Sequence, residues 1–596
     1  MSVENLVQMF RAGVQTYGDG PMLRARRAGA WTWMTWTQVR RQVDDLASGV
    51  IDLGVMPGDR VALLCENRPE WVICDLAILT CAATTVGIYL TLTPKQIEYQ
   101  LSDSGARAII VSNREQLSKV LGVSDSLPEL EHVILIGGQV QEPDADVLTL
   151  EEVLRRGRAC DPQERERRVA MIEPGQLAAL IYTSGTTGEP KGTMLTHDNF
   201  VSNCIATNQA LPPMGPEDRN LNFLPFSHVF GRTGDYYLLI YAGVPITFAE
   251  SWEKVLGDIR EIRPTFMSAV PRFYEKAHAG IISVIERQRG LRLRLGRWSL
   301  RAARAAGAAR RAAGGISAWM RIKRALADRL LLRRLRALAG GKIRFFVSGG
   351  GPLAKELAEF FYDLGMPVLE GYGLTETSPV TNVNPGDRVK PGTVGPAIPG
   401  VEIKIAEDGE ILVRGPCVMK GYWNKPEATA EAIVDGWFHT GDVGHIDEDG
   451  YLVITDRKKD IIVSAGGKNI APQLIENLLK SDPLIAETVV YGDRRKYLSA
   501  LIVPAFAELE PLARNRGISF VARADLVANP AVQQLYREHI DSRLADLAPF
   551  EQVRKFTLLD HEFTQQDGHL TPSLKVKRRD VYRRYWDLLE AMYADE

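Results

Sequence analysis

The sequence lacks any cysteine pattern that would cross-link a fold or bind a metal. It has only six cysteines among 596 residues, with no Cys-x-x-Cys pair and no cysteine–histidine cluster at zinc spacing. We therefore expect reduced, mostly buried thiols, as in a cytosolic protein. The six residues are Cys65, Cys74, Cys81, Cys160, Cys204 and Cys417.

Long apolar runs and a strong net charge are also missing. No run of about 18 apolar residues occurs, so the sequence predicts no membrane-spanning helix. The first segment, MSVENLVQMFRAG, has an acidic Glu4 and no long apolar core, which predicts an ordinary helix rather than a secretory signal. The formal net charge of -2 at pH 7 indicates no nucleic-acid partner. We expect a cytoplasmic protein.

What the sequence does contain is a regular alternation of short apolar runs with helical patterns. This alternation predicts βαβ units and a mostly parallel sheet. Helices are predicted at 69–81 and 94–102. Strands are predicted at 59–65, 84–90, 107–112, 132–137, 177–183, 221–224 and 343–347.

A change of pattern at 455–460 (TDRKKD) separates two predicted domains. We predict an α/β fold with a large N-terminal domain at 1–456, built of mostly parallel βαβ-type subdomains, and a small α+β C-terminal domain at 457–596. An insertion rich in Ala, Leu and Arg occupies about 285–340 of the larger domain. Its composition predicts two or three amphipathic helices, broken at Gly314 and Gly315.

The segment 182–192, YTSGTTGEPKG, follows an apolar strand and is dense in groups that bind phosphate. Its glycines let backbone N–H groups approach an anion closely, and its hydroxyls and lysine add donors. It is not a Walker A loop, because Pro190 precedes the lysine. The candidate phosphate-binding residues are Thr183, Ser184, Gly185, Thr186, Thr187, Gly188 and Lys191.

This loop resembles the signature loop of the adenylate-forming (AMP-binding) superfamily. Further motifs of that family follow in order over nearly the whole chain. The resemblance implies a mobile C-terminal domain and ATP-dependent activation of a carboxylate through an acyl-adenylate, with coenzyme A as the second co-substrate and Mg²⁺ as cofactor. The motifs are LPFSHVF (224–230), SGGGPL (348–353), EGYGLTET (370–377), TGD (440–442), TDRKKD (455–460), SAGGKNI (464–470) and LTPSLKVKRR (570–579).

The resemblance implies a nucleotide site assembled from four of these motifs. Asp442 would accept both ribose hydroxyls, and Arg457 would be a second ribose contact. Tyr372, beside Gly373, would lie against adenine. Bare glycines would leave a flat slot for the base at Gly349, Gly350 and Gly351.

The same resemblance implies the residues that carry the chemistry. Thr375 would bind the α-phosphate, and Glu376 would hold Mg²⁺ together with Thr186. Lys575, in a K-x-x-R pattern that ends at Arg578, is the predicted catalytic lysine. The family commonly has glycine before this lysine, where this chain has leucine, which leaves Lys577 as an alternative.

Three further assignments concern the acyl group, coenzyme A and the domain hinge. His228 would line the carboxylate end of the acyl pocket and position the substrate. Lys459 would be the pivot between the domains. The coenzyme A thiol would bind near Gly466, Gly467 and Lys468.

The most unusual stretch in charge is 287–336, with sixteen Lys/Arg residues and one acidic residue, Asp328. It resembles an insertion in the long-chain fatty acyl-CoA synthetase branch, which predicts a long-chain fatty acid as substrate. Basic amphipathic helices favour anionic membrane surfaces, so the inner face of the cell membrane is a predicted location. The alternative is a solvated helical hairpin packed on the domain.

Two other functions remain open at this point. A fatty acyl-AMP ligase, which passes its adenylate to a carrier protein, is marked by an insertion at the start of the small domain. Residues 456–476 run without one, which favours a coenzyme A ligase. A non-catalytic acyl or nucleotide sensor would not need Thr375, Glu376, Asp442, Arg457 and Lys575. The oligomeric state, a homodimer included, is left open.

Overall fold

The computed structural model describes residues 3–137, 147–183, 189–312, 316–465, 468–571 and 576–594. Within these ranges, no helix combines the length and the apolar character needed to cross a bilayer. The described cysteines form no disulfide, and five of the six are buried.

The described residues of the N-terminal part form twenty strands. They are β1 (Pro21–Arg27), β2 (Ala30–Thr35), β3 (Arg60–Leu64), β4 (Thr84–Gly87), β5 (Ala106–Val111), β6 (His132–Leu135), β7 (Val147–Thr149), β8 (Leu177–Thr183), β9 (Lys191–Thr196), β10 (Ile246–Thr247), β11 (Phe266–Ala269), β12 (Phe345–Ser348), β13 (Val368–Gly373), β14 (Val380–Val383), β15 (Glu402–Ile405), β16 (Glu410–Arg414), β17 (Gly421–Tyr422), β18 (Ile433–Val434), β19 (Trp437–Ile446) and β20 (Leu452–Arg457).

Seventeen helices accompany these strands in the described residues. They are α1 (Leu6–Tyr17), α2 (Trp36–Asp52), α3 (Pro69–Thr80), α4 (Pro94–Ser104), α5 (Arg114–Leu121), α6 (Leu150–Ala159), α7 (Pro162–Ala170), α8 (His197–Ala210), α9 (Val229–Arg232), α10 (Leu238–Ala242), α11 (Val255–Ile262), α12 (Pro271–Glu286), α13 (Gly290–Arg311), α14 (Ala318–Ala327), α15 (Arg333–Leu338), α16 (Lys355–Leu364) and α17 (Pro426–Ala432).

An eight-stranded sheet in the order β17-β9-β8-β4-β3-β5-β6-β7 forms the largest layer. Its strands β3 to β8 run parallel, because helical crossovers such as α3 and α4 connect them. Apolar side chains fill both faces of this sheet, as expected for parallel strands covered by helices. The predicted βαβ arrangement is confirmed.

Three smaller sheets complete the N-terminal part. β11, β12 and β13 are parallel and β14 is antiparallel to β13. An antiparallel sheet has the order β15-β16-β19-β18, with β20 paired to β19. The third sheet has the order β10-β1-β2.

The C-terminal part is a separate α/β unit with its own cores. Its elements are β21 (Ile462–Val463), β22 (Asn469–Ile470), α18 (Pro472–Lys480), β23 (Ile485–Tyr491), β24 (Leu498–Pro504), α19 (Phe506–Asn515), α20 (Arg523–Ala528), α21 (Pro530–Arg543), β25 (Val553–Leu558), α22 (Arg578–Arg584) and α23 (Trp586–Ala591). Alternate residues of β23 and β24 face opposite sides, so Val490 and Ile502 join one core while Val489 and Leu501 join the other.

One strand prediction was wrong, whereas the basic insertion is helical, as its composition predicts. Residues 221–224 form no strand, since only Asn222 bridges to Phe248 before Pro225 turns the chain. The insertion forms α13, α14 and α15, with a π-helical turn at Asp328–Leu332 between the last two. Gly314 and Gly315 lie outside the described residues.

Candidate active site

The predicted phosphate loop connects β8 and β9, which pair as an antiparallel hairpin. Thr183 at the end of β8 stands opposite Lys191 at the start of β9. The apolar run LAALIYT is buried over most of its length, so it anchors the loop at the edge of the parallel sheet. The loop's Ser184, Gly185, Thr186, Thr187 and Gly188 lie outside the described residues.

Tyr422, which the sequence did not predict as a site residue, contacts both Lys191 and Glu376. The Lys191 Nζ lies 4.9 Å from the centre of the Tyr422 ring. The Tyr422 hydroxyl donates a hydrogen bond to Oε1 of Glu376 at 2.9 Å. Burial, followed by the Glu376 carboxylate, raises the pKa of Tyr422, so the phenol stays protonated and keeps donating. The structure therefore joins the phosphate loop to the predicted magnesium ligand.

The short strand β17 holds Tyr422 in this position. Gly421 and Tyr422 pair with Met194 and Thr193 of β9, so the tyrosine is fixed to the same hairpin that carries Lys191. The Met419 N–H donates to the Glu376 carbonyl at 2.8 Å, which fixes the glutamate's backbone. The lysine, the tyrosine and the glutamate are thus held by backbone pairing as well as by side chains.

The predicted ribose residues form a connected group with Tyr372. The Tyr372 hydroxyl donates to Oδ2 of Asp442 at 2.7 Å. The Arg457 Nε lies 3.0 Å from Oδ1 of the same carboxylate. Asp442 and Arg457 are cross-strand partners in β19 and β20, so the sheet register brings them together. The Asp442 carboxylate raises the pKa of Arg457, so the guanidinium stays charged within this ion pair.

The predicted adenine slot and the predicted acyl motif touch each other. A Cβ on Gly349 would lie 3.1 Å from the Phe230 ring, so the ring packs on bare backbone. His228 caps the start of α9, where its Nδ1 accepts the N–H of Phe230 at 3.1 Å. Gly350 has a φ of 79°, a conformation that side chains rarely adopt. Gly351 follows it in the turn after β12.

The turn that carries Thr375 and Glu376 needs a glycine before it. A Cβ on Gly373 would lie 1.6 Å from the Pro379 carbonyl oxygen, so no larger residue fits. The short 3₁₀ helix Thr375–Thr377 follows, with both Thr375 and Glu376 partly exposed. Their side chains are therefore accessible to a nucleotide.

A carboxyl group lies buried beneath the nucleotide residues, two positions before Tyr372. Burial raises the pKa of Glu370 to about 8. The Gly392 N–H donates to its Oε1 at 3.2 Å, a bond that opposes this shift. The group is therefore mostly neutral at pH 7.

Behind the His228 segment lies a fully buried ion pair. Arg232 and Asp75 each have no exposed side-chain surface and contact one another directly. The hydroxyls of Tyr236 and Tyr237 donate to Oδ2 of Asp75 at 2.9 and 2.7 Å. These two tyrosines lie in the π-helical turn Thr233–Tyr237, a geometry often found near functional sites.

The same π-helical turn reaches the Thr375–Glu376 segment. The Thr233 hydroxyl donates to the carbonyl of Ser378 at 2.9 Å. Ser378 donates in turn to the carbonyl of Cys417 at 2.8 Å, four residues before β17 begins. These bonds connect the helix that follows His228 to the segment that follows Glu376.

In the C-terminal part, Lys575 lies outside the described residues, but its motif partner is well held. Arg578 binds both carboxylate oxygens of Glu476, at 2.5 and 2.8 Å, and Arg578 starts α22 while Glu476 lies in α18. The pair anchors the chain three residues after Lys575. Lys577, the alternative lysine, is partly buried, and its N–H bonds to the His569 carbonyl.

The predicted hinge residue lies two positions after Arg457, whereas the predicted coenzyme A residues lie farther along, in the C-terminal part. Lys459 is exposed in the turn after β20. Lys468 is exposed, and its N–H bonds to the Ser464 hydroxyl at 3.1 Å. Gly466 and Gly467 lie outside the described residues.

Comparison with known proteins also separates an N-terminal from a C-terminal part of the chain. Residues 10–423 match the AMP-binding enzyme family, and residues 459–596 match the AMP-binding enzyme C-terminal domain. The chain belongs to the AMP-binding enzyme family. It is therefore an acyl-activating, AMP-forming enzyme that uses ATP, as the adenylate-forming resemblance predicts.

Relatives of this enzyme match it along nearly its whole length. It is 38% identical over 586 residues to the long-chain-fatty-acid–CoA ligase FadD15 of Mycobacterium bovis, covering 95% of this chain and 93% of that protein. It is 32% identical to the peroxisomal long chain acyl-CoA synthetase 6 of Arabidopsis thaliana, covering 100% of this chain and 87% of that protein.

A solved structure supports the fold of the enzyme. The adenylation domain of a carboxylate reductase from Mycobacterium chelonae superimposes with a TM-score of 0.78, covering 99% of this chain and 91% of that domain. The two sequences are 23% identical, so the comparison shows a shared α/β fold with a separate C-terminal domain.

Several residues of the site were missed from the sequence. Tyr422 carries no charge and stands in no periodic pattern, so its KGYW context contains little signal. Glu370 stands at the start of EGYGLTET, but its neutral state follows from burial in the folded protein. Asp75 and Arg232 are 157 residues apart, and nothing in the sequence links them.

Proposed function

We propose that this enzyme joins a long-chain fatty acid to coenzyme A in two steps. The carboxylate attacks the α-phosphate of ATP and expels pyrophosphate, and the coenzyme A thiol then attacks the acyl-adenylate and releases AMP. The observation that carries the proposal is the pair of linked groups, Tyr372–Asp442–Arg457 at one end and Lys191–Tyr422–Glu376 at the other. The first suits a ribose, and the second suits a triphosphate.

The first group binds the nucleoside in this proposal. Asp442 offers carboxylate oxygens to the ribose hydroxyls, while Arg457 and Tyr372 hold that carboxylate in place. The flat backbone after β12 accepts the base against Tyr372. Because the carboxylate already has two partners, its orientation is set before ATP arrives, which lowers the cost of binding.

The second group handles the phosphates. Lys191 and Thr375 donate to phosphate oxygens, together with the loop residues that lie outside the described part of the chain. A magnesium ion would be held by Glu376, with Thr186 as a predicted second ligand. When bound, Mg²⁺ neutralises phosphate charge.

The residues present fit such an ion. Among the described residues, no group of three or more His, Cys, Asp and Glu side chains forms a ready-made metal cluster. Mg²⁺ in nucleotide enzymes is commonly held by one or two carboxylates plus the substrate phosphates. A single glutamate beside the phosphate loop matches that pattern.

Charge is the main barrier in the first step, because both reactants are anions. Lys575 would supply a mobile positive charge where the carboxylate meets the α-phosphate. Arg578 holds the start of α22 through Glu476, so it limits where Lys575 can reach. His228, fixed by its contact with the N–H of Phe230, would position the acyl carboxylate.

The second step would need Lys575 to withdraw. The C-terminal domain would turn about Lys459 and bring Gly466, Gly467 and Lys468 to the adenylate. Such gating completes one site while dismantling the other. The support for this part is the resemblance and the exposed turn at 458–460.

Coenzyme A is favoured as acceptor over a carrier protein. The relatives at 38% and 32% identity are named as a CoA ligase and an acyl-CoA synthetase. The chain from β20 to α18 also runs without an insertion. A fatty acyl-AMP ligase is therefore the second candidate.

One assay separates these functions. The protein is incubated with ATP, Mg²⁺, coenzyme A and either palmitate or octanoate, and AMP and thioester are measured; parallel reactions replace coenzyme A with a carrier protein. We expect AMP and palmitoyl-CoA in equal amounts, with palmitate the better substrate. Adenylate without acyl-CoA would indicate the fatty acyl-AMP ligase, and no AMP with any acid would indicate a non-catalytic sensor.

The catalytic lysine has its own test. Lys575→Ala is expected to lower adenylate formation by at least about 100-fold, because a preorganised charge is lost. Thioester formation from supplied acyl-adenylate should remain. Lys577→Ala is the matched control and should retain both steps; the reverse result would assign the role to Lys577.

A further inference from the structure

The basic helices α13, α14 and α15 expose apolar side chains to solvent. On α14, Trp319, Ile322 and Leu326 are 64%, 58% and 49% exposed. Their spacing of three and four residues places them along one side of the helix. A solvated helix would carry polar residues there, so this stripe calls for an explanation.

The stripe is separate from the side of the insertion that forms the core. Ala327, Leu332 and Leu335 are buried and pack in the cluster that includes Phe361 of α16. The helices are therefore anchored to the domain by other residues. Removing the exposed stripe would not remove that anchor.

The charge around the stripe has one sign. Of the sixteen arginines and lysines at 287–336, thirteen are exposed. Among the described residues, Arg297 is the only one of those thirteen with an ion pair, to Glu286. Lys323 lies over the Trp319 ring at 5.2 Å, so positive charge and apolar surface are in direct contact.

A cleft of about 320 Å³ lies between the end of α13 and α14. Arg310, Arg321 and Arg324 line it, with Asp328 as the acidic residue present. One terminal nitrogen of Arg324 is buried with no hydrogen-bond partner among the described residues. Arginines whose donors converge on a cleft favour a phosphate group.

We propose that α13 to α15 dock on a bilayer containing anionic phospholipids. Trp319, Ile322 and Leu326 enter the boundary between headgroups and acyl chains, and the surrounding arginines bind lipid phosphates. A nucleic acid would match the charge but would leave the apolar stripe exposed, so a lipid surface explains more of the structure. The proposal is independent of the acid that the enzyme activates.

A second pair of apolar side chains is exposed on the same helical insertion. Leu291 and Leu295, one turn apart near the start of α13, are 71% and 37% exposed, and arginines flank both. With exposed apolar side chains on both α13 and α14, the insertion offers a bilayer two apolar contacts. Long-chain fatty acids partition into that same boundary.

Vesicle flotation with the full-length protein tests the proposal. We expect the protein to float with vesicles of phosphatidylglycerol and phosphatidylcholine and to stay at the bottom with phosphatidylcholine alone. High salt should weaken the binding, because exposed charges are screened. Equal binding to both vesicle types, or none to either, would overturn the proposal.

Two triple variants separate the apolar and charged contributions. Replacing Trp319, Ile322 and Leu326 by Ser is expected to lower the partition coefficient by roughly tenfold or more. Replacing Arg321, Lys323 and Arg329 by Gln is expected to lower it by about 100-fold. Both variants should keep the wild-type circular dichroism and the AMP release seen with a short, water-soluble acid.

Matched controls carry the same changes elsewhere on the surface. Met56, Met171 and Val521 are replaced by Ser, and Arg41, Lys95 and Arg155 are replaced by Gln, all at exposed positions. Neither control should change flotation. If the serine variant at 319, 322 and 326 floats as wild type does, and the wild-type protein binds RNA more tightly than vesicles, the surface binds nucleic acid instead.

Discussion

Arginine plays opposite parts in two regions of this enzyme. Beneath the His228 segment, Arg232 is fully buried and held by Asp75 and Tyr237. On α13 and α14, arginines are exposed and mostly without acidic partners among the described residues. A buried charge must be neutralised within the fold, whereas an exposed charge remains available to a partner. The buried arginine stabilises the residues around the site, whereas the exposed arginines form a surface that a partner can bind.

Breaking the buried pair should have the largest effect on stability. Arg232→Met leaves the Asp75 carboxylate buried without its counter-charge, so the free energy of unfolding should fall by about 3–5 kcal/mol. Chemical denaturation measures the change. The double variant Asp75→Leu with Arg232→Met should recover much of the loss, because no charge remains buried; equal loss in both would contradict the assignment.

The next largest effect concerns the neutral carboxyl at Glu370. Between pH 4.5 and about 8 the unfolded chain releases this proton while the folded protein retains it, so wild type loses stability as pH rises through this range. Glu370→Gln has no titrating group at this position, so the variant does not lose stability for this reason as pH rises. Its stability relative to wild type should therefore rise by about 2–3 kcal/mol between pH 6 and pH 9.

Denaturation curves of both proteins at the two pH values check this prediction. Comparing the variant with wild type cancels the titration of other groups. A gap that stays constant from pH 6 to pH 9 would show that Glu370 ionises normally. Asp442→Asn, at a carboxylate that already has an arginine partner, is a contrasting variant.

A smaller effect is expected at Tyr422. Tyr422→Phe keeps the ring over Lys191 but removes the hydrogen bond to Glu376, a loss of about 1–2 kcal/mol in transition-state binding or roughly tenfold in kcat/KM for ATP. The Mg²⁺ concentration that gives half-maximal activity should rise as well. Tyr451→Phe, whose hydroxyl bonds to the Arg388 carbonyl, is the matched control and should leave both values unchanged.

The smallest effect on stability should come from the exposed arginines. Neutralising Arg321, Lys323 and Arg329 together should change the free energy of unfolding by less than about 0.5 kcal/mol per site. The same denaturation experiment that detects Arg232→Met measures this. A large loss would show that these charges support the fold rather than a partner.

Local patterns in the sequence predicted the frame of the site well. The run LAALIYT has the predicted bounds as β8, and the predicted helix at 69–81 is α3, which ends at Thr80. Buried parallel strands are continuous apolar runs with turn residues at both ends, so the pattern is legible along the chain. The 221–224 prediction was wrong because only Asn222 pairs its backbone with another described segment, through Thr247 and Ala249, while its side-chain amide donates to Asp235.

The motif residues were predictable one by one, but their contacts were not. Asp442 and Arg457 are both visible in the sequence, and the register of β19 and β20 places them 3.0 Å apart. Tyr422 became part of the site only because β17 pairs with β9. Pairing between distant strands depends on the whole sheet, which short-range patterns do not contain.

By itself the sequence determined the family, the order of the motifs and the excess of positive charge at 287–336. These properties belong to residue types and their spacing. Only the tertiary structure decided which charges are neutralised, which carboxyl is neutral and which apolar side chains remain outside. Those outcomes depend on solvent exposure and on neighbours from remote parts of the chain, as with Glu370 in its buried strand and Trp319 on its open helix face.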